Sequence, residues 1–344
     1  MEMQDSLEKL DIDIMKGYEK EIYDLIVPLG ESCQVAYQLE RLGLRFTSLP
    51  FDWLFSLDTN KVIEAIESGF KDWLCKKNLV EEKPTQTGHL KIIDKKYGTI
   101  HQHIFPLNEP WEKSYKEVKT IVDRRVKRLL SFANKKILFV RTNMNLEEAE
   151  CLEKALIRRF GQGIHLLVLN HTNNFEIQEI NHSLKFTSVY EIYHESEGLK
   201  ADWRGYNKHW DYIFSNIKLK TEFIDFARED YFEGFWPCEE ESSKKKFRWT
   251  KQESLLDLSK YIGCNCVLKF TAPILCRVFL LNANAELLEV LDIKNIKDYS
   301  FDISYMTRFI TIKVDSVWSP KDVFATSDER KLGICLKSVK ISRK

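Results

Sequence analysis

The sequence predicts an α/β domain over residues 1–230, three-layer-like in its stacking of sheet and helix, followed by an all-β sandwich domain over residues 231–344. Three observations predict it. At 344 residues the chain exceeds what one hydrophobic core ordinarily holds, so two domains are expected. Apolar runs of strand length alternate with segments of helical period up to about residue 215, the pattern of a mainly parallel sheet covered by helices. Beyond 231 short β-rich runs follow one another without intervening helices, as in an antiparallel sandwich.

The elements follow in order. "YDLIVPL" (23–29) is an apolar strand, after which Val35, Leu39 and Leu42 recur at helical spacing until Gly43 supplies a stop. The aromatic stretch "SLPFDWLFS" and an amphipathic segment near 60–76 lead through a polar loop with Pro84 and Gly88 to "YGTIHQHIFPL". There Ile100 and Ile104 alternate with His101 and His103, so a strand projects both histidines from one face. From 111 to 132, Val118, Ile121, Val122, Val126, Leu129 and Leu130 mark a long amphipathic helix, and "KKILFVRTN" follows as a buried strand. A helix near 146–160 ends at Gly161; "HLLVLNH" and "LKFTSVYEI" are strands, and "HWDYIFSNI" is a helix. After the charged segment "CEEESSKKKFRWT" come "CVLKFTA", "CRVFLL", "ELLEVLDI", "FITIKV" and "GICLKSVKI", each read as a short strand.

Composition narrows the function. Apolar residues make up 44% and charged residues 30%, the balance of a globular protein. Lys plus Arg (52) equals Asp plus Glu (52), so no long-range field recruits nucleic acid or an anionic membrane. The eight cysteines, Cys33, Cys75, Cys151, Cys238, Cys264, Cys266, Cys276 and Cys335, form neither a compact disulfide framework nor paired zinc knuckles, and are expected to be reduced thiols in the cytoplasm. The N-terminus mixes acids and bases and has no apolar stretch of signal-peptide or membrane-span length, so neither is expected. No cofactor is expected.

Cys33 stands on a Gly-Glu-Ser-Cys turn where a helix begins. Unsatisfied backbone N–H groups and the positive end of the helix dipole there favour thiolate over thiol, and the same groups can receive the charge on an attacked carbonyl oxygen. A thiolate needs a proton acceptor, for which His101 and His103 are the candidates, and Asn143, at a strand end, is placed to orient the imidazole. Each residue also has a plainer reading: Cys33 as packing, the His-x-His pair as metal ligands without an evident third, Asn143 as a helix cap. Phe51, Trp53 and Phe55 fit a core, in which Asp52 needs a partner.

"LGESCQVAYQLERLGLR", "SLPFDWLFS", "IHQHIFPL" and "VDRRVKRLLSFANKKILFVR" together resemble the family described as "putative papain-like cysteine peptidases", a domain of unknown function. The resemblance covers roughly residues 22–215. It implies Cys33 as nucleophile and a histidine of "HQHIF" as base; the family's His-Asp-Phe run selects His103, although Ile104 stands here in place of the Asp. The expected function is therefore a cysteine-dependent hydrolase working by acyl transfer on a peptide or an acylated glycan. A Gly-x-Ser turn after the first strand, with an Asn at a later strand end, is also similar to the SGNH esterases and acyltransferases, which implies Ser32 as nucleophile and Asn143 at the oxyanion. That family's Asp-x-x-His is missing, since Asp202 and His209 are spaced otherwise.

The second domain resembles β-sandwich modules appended to bacterial glycan-synthesis enzymes. The resemblance offers Trp236, Trp249 and Trp318 for stacking on sugars, with Arg248, Asp328 and Arg330 for hydrogen bonds to hydroxyls. A non-catalytic glycan-binding protein is the third alternative.

Overall fold

The computed structural model describes residues 21–82, 88–194, 202–242, 245–262, 264–295, 297–303, 308–324 and 326–343; Pro84 and the first twenty residues of the N-terminal reading lie outside them. The chain divides into two compact units, Met1–Leu219 and Lys220–Lys344. That division falls earlier than the 230/231 boundary expected from texture. Thr221–Phe223 already pairs with the last strand of the second unit, and Ile224 and Phe226 pack in that unit's core.

The first unit contains β1 (Glu21–Tyr23), β2 (Leu25–Pro28), β3 (Leu54–Phe55), β4 (Leu79–Glu82), β5 (Lys91–Asp94), β6 (Thr99–His101), β7 (Ile137–Thr142), β8 (Ile164–Thr172), β9 (Gln178–Glu179), β10 (Thr187–Tyr193) and β11 (Ile217–Leu219). Its central sheet runs β2-β7-β8-β10-β9; β2, β7, β8 and β10 run parallel to one another, and β9 pairs antiparallel with β10. The all-buried run "ILFVRT" of β7 reads this way because both faces are covered. Ile137 and Phe139 face one core, with Val62 of α2 (Thr59–Glu67), Val118 of α3 (Trp111–Leu130) and Leu152 of α4 (Leu146–Phe160). Leu138 and Val140 face the other, with Val35 and Leu39 of α1 (Gln34–Arg41) and Trp210 and Phe214 of α5 (Asn207–Phe214). The result is helix, sheet, helix in three layers.

Between α1 and α3 the chain inserts a small antiparallel sheet, β3-β6-β5-β4. The expected strand through "TIHQHI" ends at His101, so His103 is released from strand alternation. The carboxyl ends of the four parallel strands lie along one edge of the central sheet. Ligand sites of open α/β sheets form at such edges.

The second unit contains β12 (Thr221–Phe223), β13 (Phe232–Phe235), β14 (Glu239–Glu240), β15 (Lys246–Asp257), β16 (Asn265–Thr271), β17 (Cys276–Leu281), β18 (Leu287–Ile293), β19 (Asp298–Ile303), β20 (Phe309–Val314), the short helix α6 (Pro320–Phe324) and β21 (Cys335–Ser342). Its ten strands form one hydrogen-bonded sheet, curled so that both halves enclose one core. The turning point is β15: Arg248 and Trp249 pair with β21, and Glu253–Asp257 pair with β20. Leu268 and Val339 from one half meet Val278 and Ile312 from the other. Among the described residues no helix is long and apolar enough to cross a membrane.

Candidate active site

β2 ends at Pro28, and the chain turns at once into α1. Gly30 (φ 76°) and Glu31 (φ 66°) both take left-handed conformations, costly for a residue with a side chain. A Cβ on Gly30 would stand 2.2 Å from Ser56 Oγ, so only glycine fits. Ser56 Oγ accepts the Glu31 N–H (3.0 Å) and donates to the Leu29 carbonyl (3.2 Å). Fully buried Arg141, from the end of β7, donates to the Leu29 carbonyl (2.7 Å), Ser56 Oγ (3.1 Å) and the Ser56 carbonyl (2.6 Å). Burial pulls its guanidinium down to about 10, so it stays charged at neutral pH. The "SLPFDWLFS" stretch thus braces the turn. Within it, buried Asp52 has its partner in Arg45 (Nη2 at 2.7 Å, Nε at 3.0 Å) and accepts the Leu49 N–H (2.9 Å).

Cys33 immediately precedes α1, and its Sγ lies 3.7 Å from Nε2 of His103. Trp53 and His89 stand edge-on to the His103 ring, each 6.3 Å between centroids. His101 is turned away into the core, where Nε2 shares a 3.0 Å hydrogen bond with Thr99 Oγ1 and the ring packs on Trp73. Burial pulls His101 down to about 3, so it is neutral. The expectation that both histidines share a strand face is corrected: the structure brings only His103 to Cys33.

The charge state expected at this pair is also corrected. Cys33 is only 6% exposed, and burial pushes its thiol up to about 11. Burial, then the neighbouring His89, lowers His103 from the ordinary imidazole value. Both shifts favour uncharged partners, thiol beside neutral imidazole.

Asn143 does not reach this pair. It also does not cap α4, whose cap is Asn145, closed in a reciprocal capping box with Glu148. Asn143 (φ 53°) instead accepts the His171 backbone N–H at 3.0 Å and places Nδ2 3.1 Å from His171 Nδ1. Nε2 of His171 lies 2.7 Å from Oε1 of buried Gln34, whose Nε2 donates to the Trp203 carbonyl (3.1 Å) and faces His194 Nδ1 (3.3 Å). The two imidazoles stack, with centroids 4.1 Å apart. A cavity of 550 Å³ opens here, lined by Glu31, Ser32, Gln34, Asn143, His171 and His194 among others. Sequence reasoning missed Glu31, Gln34, His171 and His194 as site residues. The strand-end rule applied to β8 and β10, as it was to Asn143 at β7, points to both histidines.

Ser32 lines this cavity, and its Oγ accepts the Gln34 N–H (3.4 Å). The histidine and aspartate nearest to an esterase pattern are engaged elsewhere: His209 Nδ1 accepts the Tyr193 N–H (3.1 Å), and Asp202 pairs with Arg204 (2.9 Å). All eight cysteines are free. Among the described residues no three His, Cys, Asp or Glu side chains gather as metal ligands would.

The structure gathers the six sugar-binding candidates of the second unit into one cluster, whose polar groups are engaged within the protein. Buried Arg248 bonds Glu229 (2.6 Å) and the Phe226 carbonyl (2.8 Å). Trp318 is buried, donates to the Gly333 carbonyl (3.1 Å) and packs edge-on against Trp249. Trp236 lies under both Lys251 and Arg330, 5.2 and 5.5 Å from its ring centre. Arg330 closes on Asp328 (2.7 Å) and Glu239 (2.7 Å).

Residues 24–187 match the family model described as "Putative papain-like cysteine peptidase (DUF1796)". An uncharacterized protein of Acanthamoeba polyphaga mimivirus is 30% identical over a stretch covering 34% of this chain and 60% of that protein; the chain thus spans less than two thirds of its relative. Among solved structures, a glycoside hydrolase family 43 arabinoxylan arabinofuranohydrolase from Bacillus subtilis is similar over 30% of this chain and 22% of its own, at 4% identity and a TM-score of 0.20. A family 29 carbohydrate-binding module mutant is similar over 32% of this chain and 76% of its own, at 11% identity and a TM-score of 0.19. Likenesses at such scores carry no argument about the function of this chain.

Proposed function

We propose, on the premise of the family match over residues 24–187, that the chain is a cysteine-dependent acyl-transfer enzyme in which Cys33 is the nucleophile and His103 the general base. The 3.7 Å contact between Sγ and Nε2 carries this reading, since a nucleophile and its base must lie within reach of one proton. Attack starts from the neutral pair. As sulfur bonds the carbonyl carbon, the S–H proton passes to His103 Nε2, and the carbonyl oxygen takes up the electron pair near the N–H groups of the first turn of α1. When the carbonyl re-forms, the bond to the leaving group breaks and that group receives the proton from the imidazolium. Water or an acceptor hydroxyl then attacks the thioester, giving its proton to His103, which returns it to the departing sulfur.

His101 has no part in these steps, and Asn143 acts on His171 rather than on His103. Expected substrates are acyl compounds, a peptide or an acylated glycan. The test uses the full chain with p-nitrophenyl acetate, reading nitrophenol release and, by intact mass and peptide mapping, the acetylated residue. Acetyl should appear on Cys33 and be absent from that peptide in Cys33→Ala. His103→Ala should slow acetylation about 100-fold or more, the range of general-base contributions, while His101→Ala retains most of the rate. Acetylation of other cysteines alone, or a rate unmoved by His103→Ala, would refute the assignment.

A further inference from the structure

The cavity beside Ser32 and Gln34 has a polarity fixed by its own hydrogen bonds. The Trp203 carbonyl can only accept, so it holds Gln34 with Nε2 toward it and Oε1 toward His171. The His171 backbone N–H can only donate, so it holds Asn143 with Oδ1 toward it and Nδ2 toward His171 Nδ1. These two anchors set one tautomer, with the His171 proton on Nε2. Gln34 Nε2 likewise faces His194 Nδ1, so a neutral His194 carries its proton on Nε2, the ring nitrogen not engaged with Gln34. Burial pulls His171 down to about 4 and lowers His194 as well, in keeping with two uncharged rings.

Among the described residues lining the cavity there is one carboxyl group, Glu31, and no lysine or arginine. Among these described residues an anionic ligand would find no countercharge. An apolar ligand would strand the Ser32 O–H and the His194 Nε2–H, which the bonds above do not use. One aromatic surface is available: Trp203 lines the cavity, is 53% exposed, and is steadied by an edge contact with Tyr37 at 5.3 Å and by the hydrogen bond to its carbonyl. Uncharged donors and acceptors around an exposed ring suit a ligand that is uncharged, rich in hydroxyls and flat on one face. At 550 Å³ the space is of small-molecule size.

We propose that this cavity binds a neutral sugar, stacked on Trp203 and hydrogen-bonded by His194 Nε2–H and the lining amide and hydroxyl groups. Ser32 and Gln34 flank Cys33, so the sugar would be the glycan part of an acyl donor or acceptor; that link rests on the function proposed above, whereas the binding itself does not.

The full-length Cys33→Ala chain, in which acyl transfer is blocked, separates the two. Saturation-transfer NMR would be run with glucose, galactose, N-acetylglucosamine and maltose, with glucose 6-phosphate and glucosamine as anionic and cationic comparators. At least one neutral sugar should bind saturably. Trp203→Ala and His194→Ala, at solvent-accessible positions and checked for native melting, should each weaken it about 10-fold. No saturable binding by any of the four neutral sugars would overturn the proposal. So would tighter binding of either charged comparator, or binding that both substitutions leave unchanged, which would place it elsewhere in the chain. Sugar binding without acetylation of native Cys33 would sink the acyl-transfer reading alone.

Discussion

Two polar clusters, one in each unit, are built to opposite ends. In the second unit Arg248, Asp328, Arg330 and Glu239 are bonded to one another or to backbone, and Trp236 is covered by two cations. At the strand ends of the first unit the bonds of Arg141, Ser56 and Gln34 run behind the surface, and Asn143 fixes His171 at it. They brace the turn that leads to Cys33 and fix the Gln34 amide against His194 Nδ1, leaving His194 Nε2 outside that bonding. A set of polar residues is a site when its bonding fixes some members so that others remain uncommitted. A set that bonds only itself stabilises a fold.

The contrast breaks most visibly at Gly30. Gly30→Ala imposes both a left-handed alanine and a 2.2 Å clash with Ser56 Oγ, and should cost about 3 kcal/mol or more in urea unfolding and abolish Cys33 acetylation. Gly43 has a similar φ of 70° with nothing within 4 Å of an added Cβ, so Gly43→Ala should cost only about 1 kcal/mol and leave acetylation intact. Equal effects would mean the turn is not held by Ser56.

Next in size is the arginine comparison. Arg141→Met leaves the Ser56 carbonyl without its buried donor and should cost about 2 kcal/mol. The half-open Arg330–Asp328 pair, 30% exposed on each side chain, should make Arg330→Met worth about 1 kcal/mol or less.

Acid destabilises both units but separates them by window. All eight histidines precede residue 220. His101 and His171, ordinarily near 6.5, are held near 3 and 4, so the unfolded chain binds protons first. Their stabilisation is complete above pH 6.5 and declines as pH falls from there toward 4. Asp52 and Asp94, raised by burial, oppose this, whereas His103, His165, His194 and His209, all lowered by burial, act with His101 and His171. In the second unit hydrogen bonds to arginines lower Glu229 and Asp328, so their contribution holds above about pH 4.5 and is lost only below it. Calorimetry between pH 6.5 and 4.5 should show the first unit's transition falling and the second's unmoved.

The smallest effect expected is kinetic. With its thiol pushed up to about 11, Cys33 should be alkylated by iodoacetamide at pH 8 later than exposed Cys151, as read by peptide mapping. Earlier labelling of Cys33 would restore the thiolate that its sequence position suggests.

Much of this was legible in residue order. The unbroken apolar run of β7 needs cover on both faces, and the helix period from Val35 to Leu39 marks one of the covers. Cys33 and His103 could be paired from motif alone. The rest depends on contacts between segments far apart in the chain: Gln34 meets His171 and His194 across 137 and 160 positions, and no local spacing encodes that. A helix start at Cys33 shows in sequence, whereas the burial that raises its thiol does not. His101 and His103 share a period-two pattern, but the strand stops between them, and strand ends are set by partners as much as by propensity.

The long strand β15 has a consequence for how the second unit could be rewired. Because it belongs to both halves of the curled sheet, a break within it would separate pairings that the two halves share. A circular permutant opened at the tight turn joining β17 to β18, where the Asn282 N–H bonds the Glu286 carbonyl, keeps that spine whole. One opened inside β15 asks the two halves to find each other as separate pieces. The strand is thus a constraint on the genetic rearrangements this unit can survive.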